Sequence, residues 1–209
     1  MVLSLITLAA TVPLIATSTI QLQEECQQKQ DKGELELKTK KCHLMGRASN
    51  RMSPKRHQQL QGMQVVLQDG ALFLEPQAAS TRHPFTGYLL PYPENPYDGI
   101  VSTINTDNML NWVFIDVDTY RLRYGVRAEA QTQLTGPISL VSDPAGNEWR
   151  IAFDGWEGFV AVQEDEEEWA IYFDVNDNGL AGKVEEGRAV VEIELVRSGL
   201  EGDVATTPS

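Results

Sequence analysis

The chain has 209 residues, of which 42% are hydrophobic and 22% charged, and its net charge is −13. That length and balance allow one domain with a full core and exclude a disordered or fibrous chain. Residues 58–209 hold eight Lys/Arg against twenty-five Asp/Glu, so this part repels phosphate backbones and anionic lipid, and nucleic acid is not an expected partner.

Residues 1–20 carry no charged side chain, and Ser4, Thr7, Thr11 and Ser18 fall near one helical face. They read as an apolar N-terminal helix interrupted around Pro13. Three roles compete for it. A secretory signal finds an apolar region and the small residues Ala16-Thr17-Ser18, without a basic start. A membrane anchor finds a stretch barely long enough and rich in Thr. A docked helix needs only an apolar surface. The chain is accordingly secreted or membrane-associated if this segment acts as signal or anchor, and cytoplasmic otherwise.

Residues 21–62 read as a basic polar linker. Residues 29–57 hold nine Lys/Arg against three acids, which suits a solvated link or contact with an anionic membrane face. Leu35 and Leu37 alternate with charges and predict a short strand, and Gly46–Gln61 predicts an exposed loop. Cys26 and Cys42 lie outside the predicted core; they would pair in an oxidising compartment and stay thiols in the cytosol.

From Met63 the pattern becomes that of a β domain spanning 63–197, with 198–209 as a flexible tail. Gln64–Gln68, Asp69-Gly70 and Ala71–Glu75 form a hairpin around the favoured Asp-Gly turn. Gln77–Gly99 is a Pro-rich loop with a short strand at Tyr88–Leu90. Further strands are predicted at Ile100–Ile104, Leu110–Val117, Tyr120–Gly125, Ile138–Ser142, Trp149–Phe153, Gly158–Gln163, Trp169–Phe173 and Ala189–Val196. Their spacing predicts a mainly β fold, an antiparallel meander closed as a barrel or stacked as a sandwich. Trp149–Asp154 and Trp169–Asp174 share W-x-I-x-F-D, with Asn111–Asp116 as a looser copy. Alternating Trp, Ile and Phe would share one face, and Asp would start the turn.

Gly99–Asn105, Leu110–Asp116, Leu134–Pro137, Phe153–Phe159 and Trp169–Asp174 together resemble a family of filamentous-fungal proteins without assigned activity. The likeness covers most of 63–197, and the apolar N-terminal segment fits it too. It implies no catalytic residues and is compatible with an accessory role in secondary metabolism.

There is no phosphate-binding glycine loop, nucleophile elbow, paired-cysteine zinc spacing or HExxH. Asp174-Val175-Asn176-Asp177-Asn178-Gly179 with Glu185 fits the calcium-loop pattern. Asp174, Asn176, Asn178 and Glu185 would supply the oxygens a calcium ion needs; the same residues also make a plain hairpin loop, and strands rather than helices flank them. In Asp154-Gly155-Trp156-Glu157-Gly158 an aromatic sits between two carboxylates, either lining a pocket or forming a tight turn with Trp156 in the core. Asp154, Glu157 and Asp116 are the candidate catalytic carboxylates. Trp112, Trp149, Trp156 and Trp169 are candidates for lining a ligand pocket, with core packing as the plainer role. His43, His57 and His83 have no nucleophile to serve. Glu164–Glu168 reads as a solvated hairpin tip.

The combined expectation is a non-catalytic binding or accessory module of unknown ligand, with a small apolar molecule as a candidate partner. A small-molecule enzyme of isomerase or cyclase type with a barrel pocket is the first alternative, and a calcium-stabilised secreted protein the second. Tryptophans around an enclosed cavity would favour the enzyme; a filled interior would favour the module.

Overall fold

The computed structural model describes residues 27–29, 31–49, 58–103, 110–166 and 168–200. The apolar N-terminal segment, Cys26, His57 and residues 201–209 lie outside them. The chain divides into two units, Met1–Thr39 and Lys40–Ser209. In the first, 31–39 is helical, not the strand expected from Leu35 and Leu37. Glu34 and Lys38 pair at 2.8 Å across one turn, and Thr39 Oγ1 donates to the Leu35 carbonyl. Leu35 is 61% exposed, so no packed face rewards an alternating pattern, and the good helix formers Glu, Leu and Lys decide the conformation. Among the described residues no helix is long and apolar enough to cross a membrane.

The second unit is an antiparallel array of thirteen strands. They fall into three groups in chain order. The first holds β1 (Cys42–Ala48), β2 (Met63–Gln68), β3 (Ala71–Pro76), the two-residue β4 (His83–Pro84) and β5 (Gly87–Pro91). The second holds β6 (Asp98–Thr103), β7 (Leu110–Ile115), β8 (Leu122–Gly125) and β9 (Ile138–Ser142), with a helical turn at Arg127–Ala130. The third holds β10 (Trp149–Phe153), β11 (Phe159–Gln163), β12 (Trp169–Phe173) and β13 (Val190–Gly199).

Each group sends its outer two strands to a barrel and its inner two to a hairpin. Around the barrel, β13 pairs with β1, β1 with β5, β5 with β6, β9 with β10 and β10 with β13, while β6 and β9 lie in contact. The hairpins are β2–β3, β7–β8 and β11–β12. Their second strands meet one another: β3 pairs with β8 and with β12, and Arg121 bridges to Tyr172. This corrects the expected simple meander. Neighbouring strands do form hairpins, but the ring closes through β1 and β13, from opposite ends of the unit.

The β1–β13 ladder runs from Cys42↔Gly199 to Ala48↔Ile193. It corrects both the linker reading of 21–62 and the tail reading of 198–199. β1 alternates buried and half-buried positions, with Cys42, Leu44 and Ala48 buried. The alternation was hard to read because the buried set includes two small residues, Gly46 and Ala48, and the other face carries His43 and Arg47. At Gly46 an added Cβ would lie 2.5 Å from the Leu74 side chain, so glycine here admits the hairpin strand against the barrel strand.

Alternate residues of nearly every strand enter one core: Leu44, Val65, Leu74, Leu89, Ile100, Ile115, Ile151, Phe173 and Leu195 among them. The three hairpins are apolar on their other face as well. Val66, Phe73, Val160, Ala170, Tyr172 and Leu180 form a second cluster, and Tyr92, Val101, Trp112, Phe114 and Ala130 a third. That is why β12 is buried at all five positions; antiparallel strands with one wet face show strict alternation instead. The main core is filled. The void lined by Leu44, Ile151, Phe153 and Leu195 measures about 20 Å³, enough for roughly one water and no organic ligand.

Candidate functional site

Two turn motifs that are separate in sequence meet at one cleft. The first is Asp154-Gly155. Asp154 and Gly155 take positive φ values of 48° and 80°, the conformation of the tightest hairpin turns. Phe153 and Trp156 exchange both backbone hydrogen bonds across it, at 3.0 and 3.1 Å. The turn fixes where Trp156 leaves the chain. Its indole lies over Gly158, where an added Cβ would come within 2.4 Å of the ring, and meets Phe173 edge-on at 5.3 Å between centroids. Trp156 remains 36% exposed. An indole held on two sides and open on another is a preformed contact surface.

The second motif is the loop after β12. The Asp174 amide donates to the Gly158 carbonyl at 2.8 Å, which joins the two motifs. Asp174 is buried, and its carboxylate accepts from the amides of Asn178, Gly179 and Leu180 at 3.1, 2.6 and 3.4 Å. Asn178 Oδ1 accepts from the Ala181 amide, Asn176 Nδ2 donates to the Tyr120 hydroxyl, and Glu185 pairs with Arg188 at 2.7 Å. The four candidate calcium ligands are thus each engaged within the loop or by neighbours. Among the described residues no group of three or more His, Cys, Asp or Glu side chains is placed to hold a metal.

The cleft has a volume of about 460 Å³ and is lined by Trp156, Glu157, Asp174, Asp177, Arg150, Glu192 and Glu194 among others. Arg150 Nε lies 2.9 Å from Glu157 Oε2, yet neither atom makes an aligned hydrogen bond; the pair is held by charge more than by direction. Arg150 also lies 3.8 Å from Glu194, which Arg47 contacts at 2.6 Å while gripping Glu148 with two nitrogens. Burial pushes the Glu157 carboxyl above its usual range; Arg150 opposes this, Glu194 adds to it and Arg47 opposes it. A wider depression of about 1410 Å³ flanks β1 and β13. Of its three arginines, Arg47 is held by Glu148 and Glu194, Arg197 by Cys42 Sγ at 3.2 Å and the Lys40 carbonyl, and Arg150 is shared with the cleft.

The remaining candidates lie elsewhere. Trp169 belongs to the main core, and Trp112 to the third cluster beside Tyr92 at 4.7 Å. Trp149 is half-buried at the start of β10. The four tryptophans therefore do not surround one cavity. The near-repeat explains part of this. Ile151 and Phe153, and Trp169, Ile171 and Phe173, do share the core face. In the looser copy Asp116 follows Trp112 by four residues rather than five, so Trp112 points to the opposite face. Asp116 caps its own turn, accepting from the Asp118 and Thr119 amides and the Thr119 hydroxyl. Burial raises its pKa, but those hydrogen bonds and Arg123 together outweigh it and hold the carboxyl below the usual range. Asp154 is an exposed turn residue. Sequence reasoning missed Glu192 and Glu194, because their alternation in β13 carries no motif; only the pairing of β13 with β11 and β10 brings them to Trp156.

A ring of barrel strands with three hairpins around an apolar core is the arrangement of a β-trefoil. The model of a fungal beta-trefoil domain family matches residues 17–201, and the chain belongs to that family. No curated protein and no solved structure matches the chain.

Proposed function

We propose that the protein is a non-catalytic binding module that uses the Trp156 cleft, and that it serves as an accessory protein in fungal secondary metabolism. The observation that carries the first part is the contrast between interior and surface. The core leaves about 20 Å³ free, while a side chain as costly to expose as Trp156 stands 36% open in a cleft. Large exposed aromatics held rigidly on a surface are the usual anchors of recognition. The barrel-pocket enzyme gains no support from a core void of about 20 Å³. A fungal beta-trefoil domain suits a binding or accessory role, and the link to secondary metabolism rests on the resemblance to filamentous-fungal proteins.

The test compares the wild-type chain with Trp156→Leu by thermal shift across a panel of small molecules. Ligands that stabilise the first and not the second support the cleft. Ligands that stabilise both equally place the binding surface elsewhere.

A further inference from the structure

The lining of the same cleft specifies a class of ligand, an inference that rests on the cleft being the binding surface. Of its carboxylates, Asp174 is held by three backbone amides, Glu194 by Arg47 and Arg150, and Glu157 faces Arg150. Asp177 and Glu192 are different. Both are exposed, both border the cleft, and among the described residues neither carboxylate has a hydrogen-bond or ion-pair partner. One comes from the loop after β12 and one from β13. Trp156, fixed by Gly158 and Phe173, lines the same cleft. Among the described residues one cation, Arg150, lines the cleft, and it is already paired with acids.

Such a surface discriminates by charge. An anion meets five carboxylates. A neutral polyol would stack on the indole but leave two carboxylates without counter-charge. An alkylammonium group satisfies both elements, since an indole face attracts cations through its quadrupole and two unpartnered carboxylates in the same cleft supply the counter-charge. We infer that the cleft recognises an organic ammonium group, with Trp156 as the platform and Asp177 and Glu192 as the counter-charges. Its size suits a small amine or a single side chain rather than an extended polymer.

The experiment titrates the intact chain with tetramethylammonium, with neopentyl alcohol as the neutral isostere, and with calcium. Emission is read as the difference between wild type and Trp156→Phe, and affinity by calorimetry. The expected result is saturable tetramethylammonium binding that perturbs Trp156 and weakens with added salt. Trp156→Leu should weaken it on the order of tenfold, within the range of a partly desolvated cation–π contact. The double substitution Asp177→Asn, Glu192→Gln should weaken it by a similar factor with an unchanged melting temperature, since both side chains are exposed. Equal binding of neopentyl alcohol, or calcium binding with tetramethylammonium silent, overturns the ammonium assignment and leaves the binding surface standing. If no probe and no ligand of the wider panel perturbs Trp156, both readings fall.

Discussion

At the scale of single residues, three positions separate structural roles from recognition. Gly158 admits the indole of Trp156, so Gly158→Ala should displace the ring, shift Trp156 emission and cost roughly 1 to 3 kcal/mol of stability, as overpacking does. An unchanged spectrum would show that the ring has another support. Asp174 caps three amides from a buried position, so Asp174→Ala should cost about 2 to 3 kcal/mol in metal-free buffer. A loss that appears only when calcium is added would make the residue a cation ligand instead. Glu157 and Asp116 respond to pH in opposite senses. Glu157 titrates above its usual 4.5, so its contribution is fully present below that value and is lost as pH rises through its folded pKa. Glu157→Gln should therefore gain on the wild type as pH rises from acid to neutral. Asp116 titrates below its usual 3.8; its contribution is present above that value and lost as pH falls through its folded pKa. Asp116→Asn should be destabilised at neutral pH, with the deficit vanishing in acid. Melting curves from pH 3 to 8 check both signs.

At the scale of elements, β1 is the decisive strand. It closes the ring against β13 over seven residue pairs and also touches β2 and β5. A chain beginning at Lys40 should keep the cooperative transition of the full protein. A chain beginning at Met63, the boundary that hydrophobic patterning suggests, should not fold, because it exposes the edges of β13 and β2 and removes Leu44 and Ala48 from the core. Circular dichroism melts of the two truncations decide this; two equal transitions would mean that β1 is dispensable. The contrast shows what patterning can read. The Asp69-Gly70 hairpin was legible because the turn chemistry is local, and its φ values of 49° and 76° are those the dipeptide favours. The segment 31–39 and β1 were misread because one has no packed face and the other hides its alternation behind small residues.

At the scale of the whole molecule, charge and topology dominate. The acidic excess of residues 58–209, twenty-five acids against eight bases, should make stability rise with ionic strength, because salt screens the net repulsion. A melting temperature that falls steadily with salt would mean that networks such as Arg47–Glu148–Glu194 contribute more than repulsion costs. Closure of β1 on β13 joins residues about 150 positions apart, Ala48 with Ile193 and Cys42 with Gly199, so folding should be slow, on the millisecond-to-second scale of non-local β topologies.

The amino-acid order by itself determined the class of fold, most strand positions, the tight turns and the acidic surface, since each depends on neighbours within about ten residues. It also marked Trp156, Glu157 and Asp174 as unusual, without relating them. Only the tertiary structure decided that Trp169 is core while Trp156 is surface, that Asp174 faces a turn, and that Asp177 and Glu192 line the same cleft as Trp156. Those outcomes depend on which strands become neighbours, and strand partnership in a closed ring is set by the simultaneous burial of every inward face, not by any local stretch of chain.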